Sequence, residues 1–185
     1  MTQEYADKII EFIERDPVRV AALDCVYRLD LPQCYIAAGF VRNLVWDALH
    51  NKVIMTPLND VDVIYFDSSE SDVNAYLMYE QQLQAAMPNL NWQVRNQALM
   101  HERNGDSPYS NTLDAMSYWP EKETAVGIRK VENNRYDCIA AFGFESLFNL
   151  NVTHNLKRPM ALFEQRLYSK AWLSHWPLLT VLHDD

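Results

Sequence analysis

Residues 35–67, YIAAGFVRNLVWDALHNKVIMTPLNDVDVIYFD, leave the chain few folds to choose from. The run at 34–38, Cys-Tyr-Ile-Ala-Ala, is apolar and short, as a buried strand is. Gly39 follows, a residue without a Cβ where the backbone can bend sharply or approach a ligand. Val41, Leu44, Val45, Ala48 and Leu49 then recur at helical spacing. Residues 61–66, Val-Asp-Val-Ile-Tyr-Phe, predict a second strand. Strand, tight turn, helix and strand in this order predict an α/β (α+β) protein: a small mixed sheet with helices packed on one side.

Asp60 and Asp62 sit two apart at the start of the second strand, so their side chains leave the same face. Adjacent carboxylates repel, and a cation between them removes the penalty. Magnesium suits such a pair, because it takes one or two carboxylates and fills its remaining positions with water and substrate phosphates. The plainer reading is that Asp60 caps the loop and Asp62 is solvated. Val61 and Val63 on the opposite face are apolar and predicted to enter a core.

As a set, these motifs resemble the nucleotidyltransferase superfamily, in particular the head of the tRNA CCA-adding enzymes and poly(A) polymerases. That pattern is an apolar strand, G-G-x-V-R-D opening a helix, and a D-h-D-h strand, where h is apolar. Ala38-Gly39-Phe40-Val41-Arg42-Asn43 answers to the first motif and Asp60-Val61-Asp62-Val63 to the second. More narrowly, the chain resembles bacterial nucleotidyltransferase-like proteins that carry A-G-F-x-R-N, V-W-D, N-D-x-D-V-I-Y-F-D and a late F-G-x-x-x-L-F, a likeness spanning about 35–155. Two positions depart from the catalytic pattern: Ala38 replaces the first glycine, and Asn43 replaces the acid.

The resemblance implies transfer of a nucleoside monophosphate from an NTP, with Mg²⁺ or Mn²⁺ held by Asp60 and Asp62. It implies a third carboxylate from a neighbouring strand. A hairpin predicted over 125–140 makes Asp137 the candidate, with Glu102 as its rival and an exposed structural role as the alternative. Gly39, Arg42 and Asn43 fall at the phosphate end. Arginine at a helix start can add a forked contact to phosphate; the competing role for Arg42 is an ion pair with Asp47 or Asp67. Trp46 and Trp119 are expected in the core, and the pair His101-Glu102 is expected to be structural.

The rest of the chain predicts amphipathic helices at 3–15 and 18–29 packed on the sheet, a helix from about 68 to 87, a strand at 92–96, and short helices at 112–119 and 142–148. A last helix is expected at 160–173, with a tail at 175–185 that is apolar, then acidic, and docks on the surface. The length of 185 residues fits a single domain over 1–185. No run of about 18 apolar residues predicts a membrane span. An acidic, amphipathic start unlike a signal peptide, and three cysteines without metal spacing, predict a cytoplasmic protein. The formal charge of −9 opposes a broad grip on nucleic acid. Without separate base-recognition and tRNA-binding domains in view, the expected acceptor is a small molecule or a protein. Two readings from other classes stand beside this one: a non-catalytic nucleotide-binding module, and a toxin–antitoxin-type partner of the same fold.

Overall fold

A computed structural model describes residues 2–183. The chain opens with helices α1 (Thr2–Glu14) and α2 (Pro17–Tyr27). Asp16 accepts hydrogen bonds from the Val18 and Arg19 amides, and Pro17 begins α2, so the predicted stop after α1 is also the cap of the next helix. Strand β1 (Tyr35–Ala37) leads into α3 (Gly39–Leu49), and β2 (Asp60–Tyr65) follows a loop. Then come α4 (Ala75–Ala86), β3 (Asn91–Asn96), α5 (Gln97–Asn104) and α6 (Thr112–Met116). Strands β4 (Val126–Val131) and β5 (Arg135–Ala140) form the predicted hairpin. The chain continues through α7 (Glu145–Phe148), β6 (Asn151–Thr153), α8 (Met160–Lys170), α9 (Trp172–His175) and β7 (Thr180–Leu182).

Five strands form one mixed sheet in the order β3-β2-β1-β4-β5, parallel only between β2 and β3. The alternation read from the sequence holds. Val61, Val63 and Tyr65 have no exposed surface and join Ile36, Val126 and Ile128 against Ile9, Ile13, Leu23, Val41 and Val45 of the first three helices. A fully buried side chain of this size is worth about 1.5–3 kcal/mol, so this face carries most of the packing. The other face holds Asp60 and Asp62, with Ala37, Tyr35 and Ile64 farther along. There α6 supplies Met116, with Ala125, Trp119 and Phe142 in a smaller cluster. Helices therefore flank the sheet, with the larger layer on one side.

Several local expectations need correcting. Residues 68–72 are not a helix start. Asp67 accepts from the Ser69 amide and hydroxyl, and Asp72 from the Asn74 amide, so the acids hold turns and α4 begins only at Ala75. Leu83 is the buried residue of α4, whereas Val73 and Leu77 are exposed. The helix expected to reach 173 breaks at Ala171, whose φ is +49°. The tail does dock: β7 pairs in parallel with β6, a two-stranded sheet that the periodicity did not suggest. Asp184 and Asp185, the acidic end of that tail, lie outside the described residues. Among the described residues no helix is long and apolar enough to cross a membrane.

Candidate active-site cleft

The helix α3 begins on a strained residue. Ala38 has φ +56° and ψ −125°, a region that only glycine enters freely. Its amide donates to Val126 O at 2.9 Å, and its carbonyl accepts from the Val41 and Arg42 amides, so β4 and the first helical turn hold the strained geometry together. The conformational freedom expected at Gly39 is thus required one residue earlier, at the position where the family pattern has its first glycine. Gly39 is constrained differently: a Cβ there would lie 3.2 Å from Asn43 Nδ2 and 3.4 Å from an Arg42 guanidinium nitrogen. Those two side chains fold back across it. No side chain caps α3, which leaves its N-terminal amides available to an anion.

That helix start forms one wall of a cleft of about 710 Å³. Asp60, Asp62 and Gln93 stand on another side, the loop before β2 on a third, and Arg166, Lys170, Trp172, His175 and Trp176 close it from α8, α9 and the tail. Gly39, Arg42 and Asn43 all line this space, together with both carboxylates of the D-x-D pair.

Arg42 is 7% exposed. Its Nη1 donates to Thr124 Oγ1 at 2.7 Å, while Nε and Nη2 donate to Asn43 Oδ1 at 3.2 and 3.0 Å. Its guanidinium lies over Trp172 and Trp46, 4.6 and 5.2 Å from the ring centroids. Burial lowers its pKa to about 10, against the opposing pull of Glu121 and Asp62, so the group is charged at neutral pH. Among the described residues it forms no ion pair. Asp47 is engaged with the Thr56 amide and hydroxyl, Trp176 and Lys52, and Asp67 with Ser69, so neither suggested partner meets it. Where the family pattern has an acid after the arginine, Asn43 offers only a neutral acceptor.

Asp60 is exposed and accepts from Asn91 Nδ2 at 2.5 Å. Asp62 is half-buried and, among the described residues, makes no side-chain hydrogen bond or ion pair. Burial first, and then Asp60 beside it, raise its carboxyl above the ordinary range; Arg42, Lys170 and Arg166 pull the other way. An unpartnered carboxylate with a second one on the same face, in a cleft open to solvent, fits a hard divalent cation that completes its shell with water and phosphate.

Asp137 does not join this pair. Cross-strand register runs Asp62–Ala37–Gly127–Ile139, which puts β5 three strands from β2, about 14 Å at ordinary strand spacing. Asp137 instead pairs with Arg129 at 2.8 Å and accepts from Tyr35. Glu102 and His101 lie in α5 and do not line the cleft, and His101 packs on Tyr109. Beside Asp62 on the adjacent strand stands Gln93, an amide. Among the described residues no three acidic, histidine or cysteine side chains gather as a metal site. Trp46 is fully buried and Trp119 partly so, as expected.

Sequence reading missed Lys52, Thr124, Arg166, Lys170 and Trp172. One signal was present: Arg166 and Lys170 are four apart on α8 and therefore share a helix face.

Comparison with known proteins follows the same geometry. A family model described as "Nucleotidyltransferase" matches residues 24–181. A solved NMR structure, described as revealing a CCA-adding enzyme head domain, is 30% identical with a TM-score of 0.84, covering 96% of this chain and 96% of that one. A chain of a tRNA-processing enzyme complex is 15% identical with a TM-score of 0.51, over 87% of this chain and 43% of that one, a likeness of fold alone. No protein in the curated set matches.

Proposed function

The chain belongs to the nucleotidyltransferase family, and on that premise we propose that it transfers a nucleoside monophosphate from an NTP to an acceptor, with Asp60 and Asp62 holding Mg²⁺ or Mn²⁺. The observation that carries this reading is the opposition of two unsatisfied charges in one cleft. Among the described residues, Arg42 is a buried cation with no carboxylate in direct contact, and Asp62 is a half-buried carboxylate without a donor. A polyphosphate with its divalent cation satisfies both.

The proposed division of labour follows from position. The uncapped start of α3, Arg42, Arg166, Lys170 and Lys52 supply positive charge for the phosphates. Asp60 and Asp62 hold the cation, which when bound neutralises charge developing on the phosphates. In the transfer, the acceptor's nucleophilic atom bonds to the α-phosphorus and gives up its proton to solvent, the bond from that phosphorus to the oxygen bridging to the β-phosphorus breaks, and pyrophosphate leaves. Among the lining residues, basic groups collect in a chain whose formal charge is −9. That contrast supports a compact anion in the cleft and a small-molecule or protein acceptor over a polynucleotide.

A second reading, a nucleotide-binding module without transfer, is favoured by Gln93 standing beside Asp62 where a neighbouring strand could have supplied a third acid. The deciding experiment incubates the protein with each α-labelled NTP, Mg²⁺ or Mn²⁺, and a cell extract. The expected result is one labelled product class that disappears with Asp62→Asn. Saturable NTP binding without a labelled product establishes the binding module. No binding of any NTP overturns both.

A further inference from the structure

Arg42 and Arg166 reach the cleft from elements far apart in sequence, yet one short turn holds both. Glu121 has no exposed surface. It accepts from Arg166 Nε at 2.5 Å and Nη2 at 3.2 Å, a forked contact. It also accepts from the Thr124 hydroxyl at 2.9 Å. That hydroxyl has one proton, and Glu121 takes it, so its lone pair is left to accept from Arg42 Nη1 at 2.7 Å. The direction of the chain is therefore forced: Arg42 to Thr124 to Glu121 Oε2, with Arg166 forked across both carboxylate oxygens. The turn itself is closed by the Thr124 amide bonding to Glu121 O, and Glu121 bridges to His154.

A plain structural staple would need only the Glu121–Arg166 pair. Three features go beyond that. Both arginines line the cleft. Trp172 faces both, with centroid distances of 4.6 Å to Arg42 and 5.9 Å to Arg166. Glu121 pairs directly with Arg166 and reaches Arg42 only through the neutral Thr124 hydroxyl, so two guanidiniums are held by one carboxylate and a positive charge remains.

We propose that Thr124 and Glu121 are positioning residues, which fix Arg42 and Arg166 as a two-armed clamp for a polyphosphate. This rests on the nucleotide reading of the cleft. A clamp with two arms held at a set separation discriminates by ligand length. A chain of phosphates spans both arms, whereas a single phosphate is served by one.

Calorimetric titration with inorganic tripolyphosphate and with orthophosphate tests the clamp on wild type, Thr124→Val, Thr124→Ser and Arg166→Lys. Valine keeps the shape and removes the hydroxyl. Lysine keeps the charge and removes the fork. Thr124→Val is expected to weaken tripolyphosphate about tenfold, as for a lost charged hydrogen bond, and orthophosphate far less. Thr124→Ser is expected to restore wild-type affinity. Arg166→Lys should show the same selective loss, and it decides the matter should Thr124→Val fail to fold. If wild type binds tripolyphosphate and the variants bind it equally well, or lose both ligands in proportion, the clamp is overturned while the nucleotide reading stands. If wild type binds no tripolyphosphate, the nucleotide reading fails and the clamp with it.

Discussion

Trp176 donates its indole N–H to Asp47 Oδ1 at 2.8 Å, joining the tail of the chain to the last turn of α3. Asp47 is 1% exposed and also accepts from the Thr56 amide at 2.6 Å and the Thr56 hydroxyl at 2.7 Å. One carboxylate therefore ties together α3, the loop before β2 and the tail, three of the segments that wall the cleft.

Asp47→Ala should accordingly be among the most damaging single changes in the chain. It strips the buried Trp176 indole and the half-buried Thr56 donors of their acceptor and leaves Lys52 without its carboxylate partner. A loss of about 3–5 kcal/mol is expected, the range for breaking a buried charge pair. Urea unfolding measures it, and limited proteolysis should cut the variant between residues 50 and 58 before any other segment. A loss below about 1 kcal/mol would mean that the network contributes no more than an exposed ion pair.

Ala38 predicts the opposite sign. Holding alanine at φ +56° costs about 1–3 kcal/mol, and glycine returns about 0.5–1 kcal/mol of that in chain entropy. Ala38→Gly should raise stability by about 1 kcal/mol in thermal unfolding. It also clears a Cβ from the mouth of α3, so NTP affinity should rise or hold. A lower unfolding midpoint would show that the methyl packs well enough to outweigh its strain.

Arg42→Met separates binding from stability. The buried guanidinium has no ion pair to lose among the described residues, and Thr124 keeps its bond to Glu121, so no hydroxyl is orphaned. Replacing an incompletely compensated buried charge by an apolar chain of similar length is expected to leave unfolding stability equal or higher. NTP affinity should fall by about 1.5–3 kcal/mol, the worth of a charged hydrogen bond. Unchanged affinity in the folded variant would assign Arg42 to the scaffold.

The parts of the site that the sequence revealed are local ones. Alternation along 60–65 dictates that Asp60 and Asp62 share a face, and Gly39 opens α3 within the same stretch. Arg166 and Thr124 could not be read in the same way, because 42 and 166 meet only through the packing of α8 over the turn at 121–124. Asp137 misled for a related reason. A hairpin after the D-x-D strand is visible in the pattern, but strand order is not. With β1 and β4 between them, β5 lies at the far edge from β2. The tail strand β7 is only three residues long and pairs with an equally short β6, too brief for periodicity to register.

The carboxylate pair ties the stability of the protein to pH. Asp62 is the member that is half-buried and, among the described residues, unpartnered, whereas Asp60 is exposed and bonded to Asn91, so the cost of charge falls on Asp62. Its pKa is raised in the folded protein, mainly by burial. Between its unfolded and folded pKa values the native state therefore binds the extra proton, and unfolding stability falls as pH rises through that window. Above the window the penalty is complete. Asp62→Asn should remove it, raising the metal-free unfolding midpoint at neutral pH by the equivalent of about 0.5–2 kcal/mol, as when strain kept for function is released. The gain should shrink as pH falls into the acid range, where wild-type Asp62 is protonated. Mg²⁺ or Mn²⁺ bound to the native state should raise the wild-type midpoint by mass action and leave that of Asp62→Asn nearly unmoved. For wild type the metal-induced rise should itself fade as the solution is acidified through the raised pKa, because proton and cation compete for one carboxylate. Equal responses of wild type and variant to metal, or a gain from Asp62→Asn that persists undiminished at low pH, would remove Asp62 from the metal site and return it to the scaffold.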